Sequence, residues 1–249
     1  MNRFVMLSGP SCVGKGPLYS ALRKFYPDLA GRLKQAVLYN SRDPRPGEQE
    51  GIDYYFRPRA EIEELAKEPG FASAIVRGDL QALEINSIKA ILDQDKDAFF
   101  EGNPFIPAKL SELKELKEIP TLKVFLAPLS KEEILFLKDP LQRTSLERLL
   151  PDIMRRKLLR RTKRQKINLS LKDLENIEKR VASAIIELRD AWKFDYVIPN
   201  HDGEDSEHWD AFYYPIGDAR KALLSFAALL QEEIPPGVEQ WEKELVPGP

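Results

Sequence analysis

Residues 3–16 read R-F-V-M-L-S-G-P-S-C-V-G-K-G, an apolar run that stops at one glycine and turns through a second onto a lysine. The run Phe4-Val5-Met6-Leu7 predicts a buried strand over Arg3 to Ser8. A helix is expected from about Pro17 to Tyr26, because Leu18, Leu22 and Phe25 recur at helical spacing and Pro17 suits a first turn. Strand, glycine-framed turn and helix in that order make a phosphate cradle. Backbone N–H groups turn inward, the helix start carries positive partial charge, and a lysine reaches the β and γ phosphates. Gly9, Pro10, Ser11, Cys12, Val13, Gly14, Lys15 and Gly16 are therefore the candidate nucleotide-binding residues, and Lys15 is the leading catalytic candidate. Such a turn ordinarily continues with Ser or Thr, whose hydroxyl meets Mg²⁺; here Gly16 stands in that place. A chance coincidence of two glycines and a lysine is the competing reading, and the flanking strand and helix weigh against it. Cys12 is expected to contribute backbone only, with thiol chemistry the lesser alternative.

Outward from this turn, strand and helix patterns alternate. Ala36 to Tyr39 predicts a second strand, and residues 40–51, rich in Pro, Gly and charge, predict a loop. Further helices are expected near Arg59–Lys67, Leu83–Leu92, Lys109–Glu118, Arg143–Arg164 and Leu171–Trp192. Further strands are expected near Phe71–Arg77, Ala98–Phe100, Leu122–Ala127 and Asp195–Ile198. The alternation argues for a doubly wound α/β fold on a mainly parallel sheet. The proline-containing end, Pro235 to Pro249, reads as a mobile tail.

With 249 residues, 43% of them hydrophobic, and a net charge of −2, the chain is large enough to bury a core without staples. One cysteine makes no internal bridge, and Cys12 with His201 and His208 makes no Cys/His zinc cluster. The apolar run at the N-terminus is too short for a signal peptide, and the stretch 222–230 falls short of the roughly 20 residues that span a bilayer. A cytoplasmic protein without membrane contact is expected.

The stretch 40–56, N-S-R-D-P-R-P-G-E-Q-E-G-I-D-Y-Y-F, resembles the guanylate kinases, whose pattern there is T-T-R-x-x-R-x-G-E-x-x-G-x-D-Y-x-F. D-Y-V-I-P-N at 195–200 is similar to that family's last strand and following Asn, and Arg180 to its arginine beyond the lid. The resemblance covers about residues 3–202. It implies a three-layer α/β/α phosphate-loop domain over 1–202, an acceptor-binding subdomain at about 36–100 and a helical lid at about 143–170. Residues 203–249 form a C-terminal helical extension and tail beyond it. The implied activity is transfer of the γ-phosphoryl group from ATP, with Mg²⁺, to a nucleoside monophosphate or related phosphorylated acceptor, GMP being the best single choice. By resemblance Arg42, Arg45 and Tyr54 grip the acceptor phosphate. Glu101 and Asn103 stand where the family has two acids, and Glu101 is the candidate to meet Mg²⁺ through water. Leu38 replaces the family serine that meets guanine, and Leu80 replaces a phosphate-contacting tyrosine. On physical grounds, two arginines three residues apart on a Pro-braced loop present fork-shaped donors to one phosphate. The competing reading is a solvated charged loop, with Asp43, Glu48 and Glu50 as partners.

Charge along the chain is sorted. Residues 154–166 hold eight of the 38 basic residues and none of the 40 acids. Arg160, Arg161 and Arg164 are the candidate lid residues, and Arg180 the candidate bridge between donor and acceptor phosphates. From His201 onward eleven acids oppose three bases, a segment not expected to approach a polyanion, so the bound anion is expected to meet the basic run. A nucleic-acid backbone is a competing partner for that run, though no aromatic residue lies between Phe136 and Trp192 to stack on bases. A noncatalytic guanylate-kinase-like binding module is a third reading; Gly16 argues for it and Lys15 against it.

Overall fold

The apolar run at the N-terminus becomes β1 (Phe4–Ser8), every residue of it buried. The structure, a computed structural model, describes residues 2–45, 47–246 and 248. After the glycine turn, α1 (Lys15–Phe25) begins two residues before the expected start, because left-handed Gly14 is its N-cap. A short helix, α2 (Pro27–Arg32), follows. The single strand expected at Ala36–Tyr39 is instead two, β2 (Leu33–Gln35) and β3 (Leu38–Asn40). Next come β4 (Tyr54–Phe56), α3 (Arg59–Leu65), β5 (Phe71–Val76), β6 (Asp79–Glu84), α4 (Ile85–Leu92) and β7 (Asp97–Gly102). The helix expected at Lys109–Glu118 is α5 (Phe105–Leu110) followed by a 3-10 turn at Lys114–Glu118. Asn103 Oδ1 accepts from the N–H groups of Phe105 and Ile106 and so starts that helix early. The chain continues through β8 (Thr121–Ala127), α6 (Lys131–Leu137), α7 (Leu146–Gln165), α8 (Leu171–Leu188), β9 (Tyr196–Pro199) and α9 (Gly217–Leu230).

A five-stranded sheet runs in the order β2-β7-β1-β8-β9, with β2 parallel to β7 and β8 parallel to β9. A second, four-stranded sheet runs β4-β3-β6-β5; β3 is parallel to β4, and β6 is antiparallel to both β3 and β5. The chain changes sheets between β2 and β3, at Ala36, whose N–H donates to Phe99 O. The expected fold class, α/β on a mainly parallel sheet, holds.

The chain divides into two compact units, Met1–Leu7 with Gly31–Lys123, and Ser8–Ala30 with Val124–Pro249. In the first, Leu38, Leu83 and Ala72 from the small sheet pack with Phe100, Ile106 and Leu110 in one apolar cluster. In the second, Leu146, Leu150, Met154 and Leu158 make a stripe down α7 that meets Ile177, Val181, Ala184 and Leu188 of α8. That spacing puts one face of each helix into the core and leaves the basic residues of α7 on its other faces.

The C-terminal residues belong to this second unit rather than standing apart from it. The mobile tail expected from Pro235 is corrected: Val197 and Glu239 exchange backbone hydrogen bonds of 2.7 and 2.8 Å, and Trp241, Leu245 and Val246 are buried in the α7–α8 core. Three apolar side chains in a short segment outweigh the prolines, of which Pro247 and Pro249 lie outside the described residues.

Candidate functional site

The second unit builds the phosphate loop. A Cβ at Gly9 would lie 2.3 Å from Leu126 O, and one at Gly14 2.7 Å from Asn200 Nδ2, both at positive φ, so the turn accepts only glycine at these two positions. Cys12 adopts φ 66° with its side chain in the core. Burial pushes its thiol up to about 12, which removes the thiolate and leaves the residue its backbone role. Asn200, after β9, fixes the turn from below: its Nδ2 donates to Val13 O at 2.8 Å and to Asp202 O at 2.7 Å. Lys15, at the first position of α1, is buried and donates from Nζ to Gly9 O (2.7 Å) and Pro10 O (2.9 Å). Arg180 of α8 donates to Ser11 Oγ at 3.3 Å and is oriented by Asn176, 2.9 Å from its Nε. A Cβ at Gly16 would meet nothing within 4 Å, so the missing hydroxyl is a chemical difference and not a steric one.

The basic face of α7 meets carboxylates of the same chain. Arg161 pairs with Glu204 (2.5 Å), Arg160 with Asp205 (3.4 Å) and Arg164 with Glu207 (3.2 Å). Lys157 donates to His201 O and lies 3.9 Å from Asp205. Arg155 is held by Glu178 and Asp152, and Lys166 by Asp173. The acidic residues after His201, a segment not expected to approach a polyanion, meet the chain's own basic run. The loop 202–207 runs along the candidate lid because its carboxylates complement that spacing of cations. Burial raises the Glu204 carboxyl, yet Arg161 and then Lys15, with Arg180, outweigh it and hold it below the ordinary range. One carboxylate thus feels the cations of loop, lid and α8 together.

In the first unit, Arg42 is gripped by Glu48 through both carboxylate oxygens, at 2.6 and 2.7 Å, and donates to Asp43 O. Its guanidinium lies 5.0 Å from the Tyr54 ring centre and 5.6 Å from that of Phe56. Arg45 N–H donates to the same Glu48, so one carboxylate sets both arginine positions of the loop. Burial raises the Tyr54 hydroxyl and keeps it protonated, a donor to an anion. Glu50 instead pairs with Arg57. Asn103, expected in the acceptor site, is buried, starts α5 and donates to Gln81 Oε1 at 2.9 Å. Glu101 is half-buried at the end of β7. Leu38 and Leu83 face the apolar cluster.

Among the described residues no group of three His, Cys, Asp or Glu side chains is arranged to hold a metal ion. Around the phosphate loop the donors do not suit a protein-held Mg²⁺. Gly16 has no side-chain oxygen, and Glu204 is paired with Arg161 at 2.5 Å, whose charge opposes a divalent cation.

Glu48 is legible in the sequence only as a partner in a solvated loop and Asn200 only through the resemblance, while Glu204 and Asp205 do not stand out as organising residues. The acidic cluster was visible, but the partner of each charge is set by tertiary structure.

A family model described as guanylate kinase matches residues 1–157. A guanylate kinase of Synechococcus sp. (strain JA-3-3Ab) is 31% identical over 219 residues, which cover 86% of this chain and 83% of that protein. Guanylate kinase 1 of Arabidopsis thaliana is 30% identical over 131 residues, 52% of this chain and 32% of the plant protein. Among solved structures, guanylate kinase from Anaplasma phagocytophilum aligns with a TM-score of 0.54 at 19% identity, covering 98% of this chain and 93% of that one.

Proposed function

The chain belongs to the guanylate kinase family, and on that premise we propose that it transfers the γ-phosphoryl group of ATP to the phosphate of a nucleoside monophosphate, with GMP the acceptor. The observation that carries this reading is the glycine-framed phosphate loop itself, with Lys15 buried at the start of α1 and Arg180 of α8 donating to Ser11 of the turn. Phosphoryl transfer passes through a loose transition state whose charge spreads over the phosphoryl oxygens, so fixed cations and backbone N–H groups supply most of the catalysis. Lys15 binds the β and γ phosphates from the start of α1. Arg161 and Arg180 stabilise the charge on the transferred group, and Arg160 and Arg164 screen it from the lid. In the first unit, Arg42 and Arg45, held in place by Glu48, and the protonated Tyr54 bind and orient the acceptor phosphate. Mg²⁺ would neutralise phosphate charge in a reaction of this class, and Gly16 would offer it no side-chain ligand. The cytoplasm is where such nucleotides are met, and we place the activity there.

A nucleic-acid partner loses its main support, because the cations of α7 are engaged by carboxylates of the chain itself. No described helix is long and apolar enough to cross a membrane.

The test is ADP formation from MgATP with GMP, dGMP, AMP, CMP or UMP as acceptor. ADP should form only when a monophosphate is present, and fastest with GMP. ADP formation indifferent to acceptor would contradict the reading.

A further inference from the structure

Residues 203–209 lie against the phosphate loop and outside the matched family segment. Gly203 packs so closely on Cys12 O that a Cβ there would lie 2.2 Å from it, and Glu204 N–H approaches the same oxygen at 3.4 Å. Trp209 Nε1 donates to Asp202 O and Gly203 O, each at 3.0 Å, which holds the loop from its far end. Asp205 and Glu207 fasten it to Arg160 and Arg164. The Glu204 carboxylate is thereby delivered to Arg161 at 2.5 Å. We propose that this loop is an internal competitor of the donor nucleotide: Glu204 takes the guanidinium of Arg161 beside the phosphate loop, where a phosphate group would bind, and the triphosphate must displace it.

The fit is that of a substitute. Arg161 gives Nη1 to Glu204, while its buried Nε has no acceptor, so a donor suited to a further anionic oxygen is left unspent. A carboxylate and a triphosphate sharing these cations repel each other, so each is bound at the expense of the other. Without nucleotide, Glu204 neutralises the guanidinium of Arg161. With nucleotide, the phosphates take over that role and the loop is released.

The inference rests on the phosphotransferase reading, and calorimetric titration with inorganic tripolyphosphate separates the two. Titrated proteins are the wild type, Glu204→Gln, which removes the charge, and Gly203→Ala, which removes the seat on Cys12 without touching the charge. Glu233→Gln, at an exposed position after α9, serves as a charge control and Lys15→Ala as the loop control. Binding to Glu204→Gln and to Gly203→Ala should each be about tenfold tighter than to the wild type, the factor that corresponds to about 1.4 kcal/mol. Glu233→Gln should match the wild type. Lys15-dependent binding that both loop variants leave unchanged or weaken overturns the internal competitor alone. Tripolyphosphate binding as tight in Lys15→Ala as in the wild type overturns the site itself, and the competitor with it. Should Glu204→Gln fail to fold, Gly203→Ala decides the matter.

Discussion

Arg161 on α7 and Glu204 in the loop after β9 form a 2.5 Å ion pair across 43 residues of chain. The pair joins the most basic stretch of the sequence to its acidic C-terminal part, immediately beside the phosphate loop. The net charge of −2 therefore conceals charges that are sorted along the chain and brought together again by the fold.

Arg42 and Glu48 make a two-bond fork, and a lysine at 42 would keep the charge but lose the fork. Arg42→Lys is expected to raise KM for GMP about tenfold or more while changing KM for ATP little, since one charge-assisted hydrogen bond contributes about 1.5–3 kcal/mol. Steady-state kinetics with each substrate varied in turn checks this.

His201 bridges Asp218 at the start of α9 and Glu133 at the start of α6. Burial lowers its pKa, but the hydrogen bonds to Asp218 and Glu133 outweigh burial and leave it raised. A raised value means that its stabilising contribution is complete below about pH 6.5, the unfolded value, and is lost as pH rises through the folded one. Tm should fall between about pH 6 and about pH 8.5 by more in the wild type than in His201→Gln. Thermal melts across that range measure the difference.

Trp241 is 6% exposed, packs into the α7–α8 core and donates to Glu239 at 2.6 Å. Trp241→Ala should cost about 3–5 kcal/mol of stability. Urea denaturation of the two proteins gives the value, and a tail that contributes nothing would leave the midpoint unchanged.

Cys12 is 0% exposed and its thiol is pushed up to about 12 by burial. A thiol reagent at about pH 8 should leave the native protein unlabelled and label it stoichiometrically in denaturant, because the thiolate is the reactive form. Mass spectrometry after a timed pulse reports the modification.

Local pattern carried much of this structure into the sequence. The run Phe4–Leu7 and the glycines at 9 and 14 announce β1 and the turn because burial and positive φ leave few other residue choices. β2, β3 and β4 are each three residues long, too short for alternation to appear, so the sequence predicts one strand where β2 and β3 stand and none at β4. β6, D-L-Q-A-L-E, has no β-branched residue and pairs on both sides, so sheet context and not propensity makes it a strand. α6 carried a readable signal that went unused: Ser130 and Glu133 form a capping box. In the site, Lys15 and Arg42 are visible through motif and spacing, and Arg180 through the family resemblance. Glu204 is not, because nothing local tells a carboxylate which cation, forty residues away, it will meet.

The most direct measurement is the rate of ADP formation from MgATP and GMP by the wild type and by Lys15→Ala. Lys15 is the buried cation at the start of α1, and its removal should lower kcat by at least about a hundredfold, as loss of one pre-organised charge at a transferring phosphoryl group does. Equal rates in the two proteins, or no GMP-dependent ADP from the wild type, would contradict the assignment of this loop as the site of phosphoryl transfer.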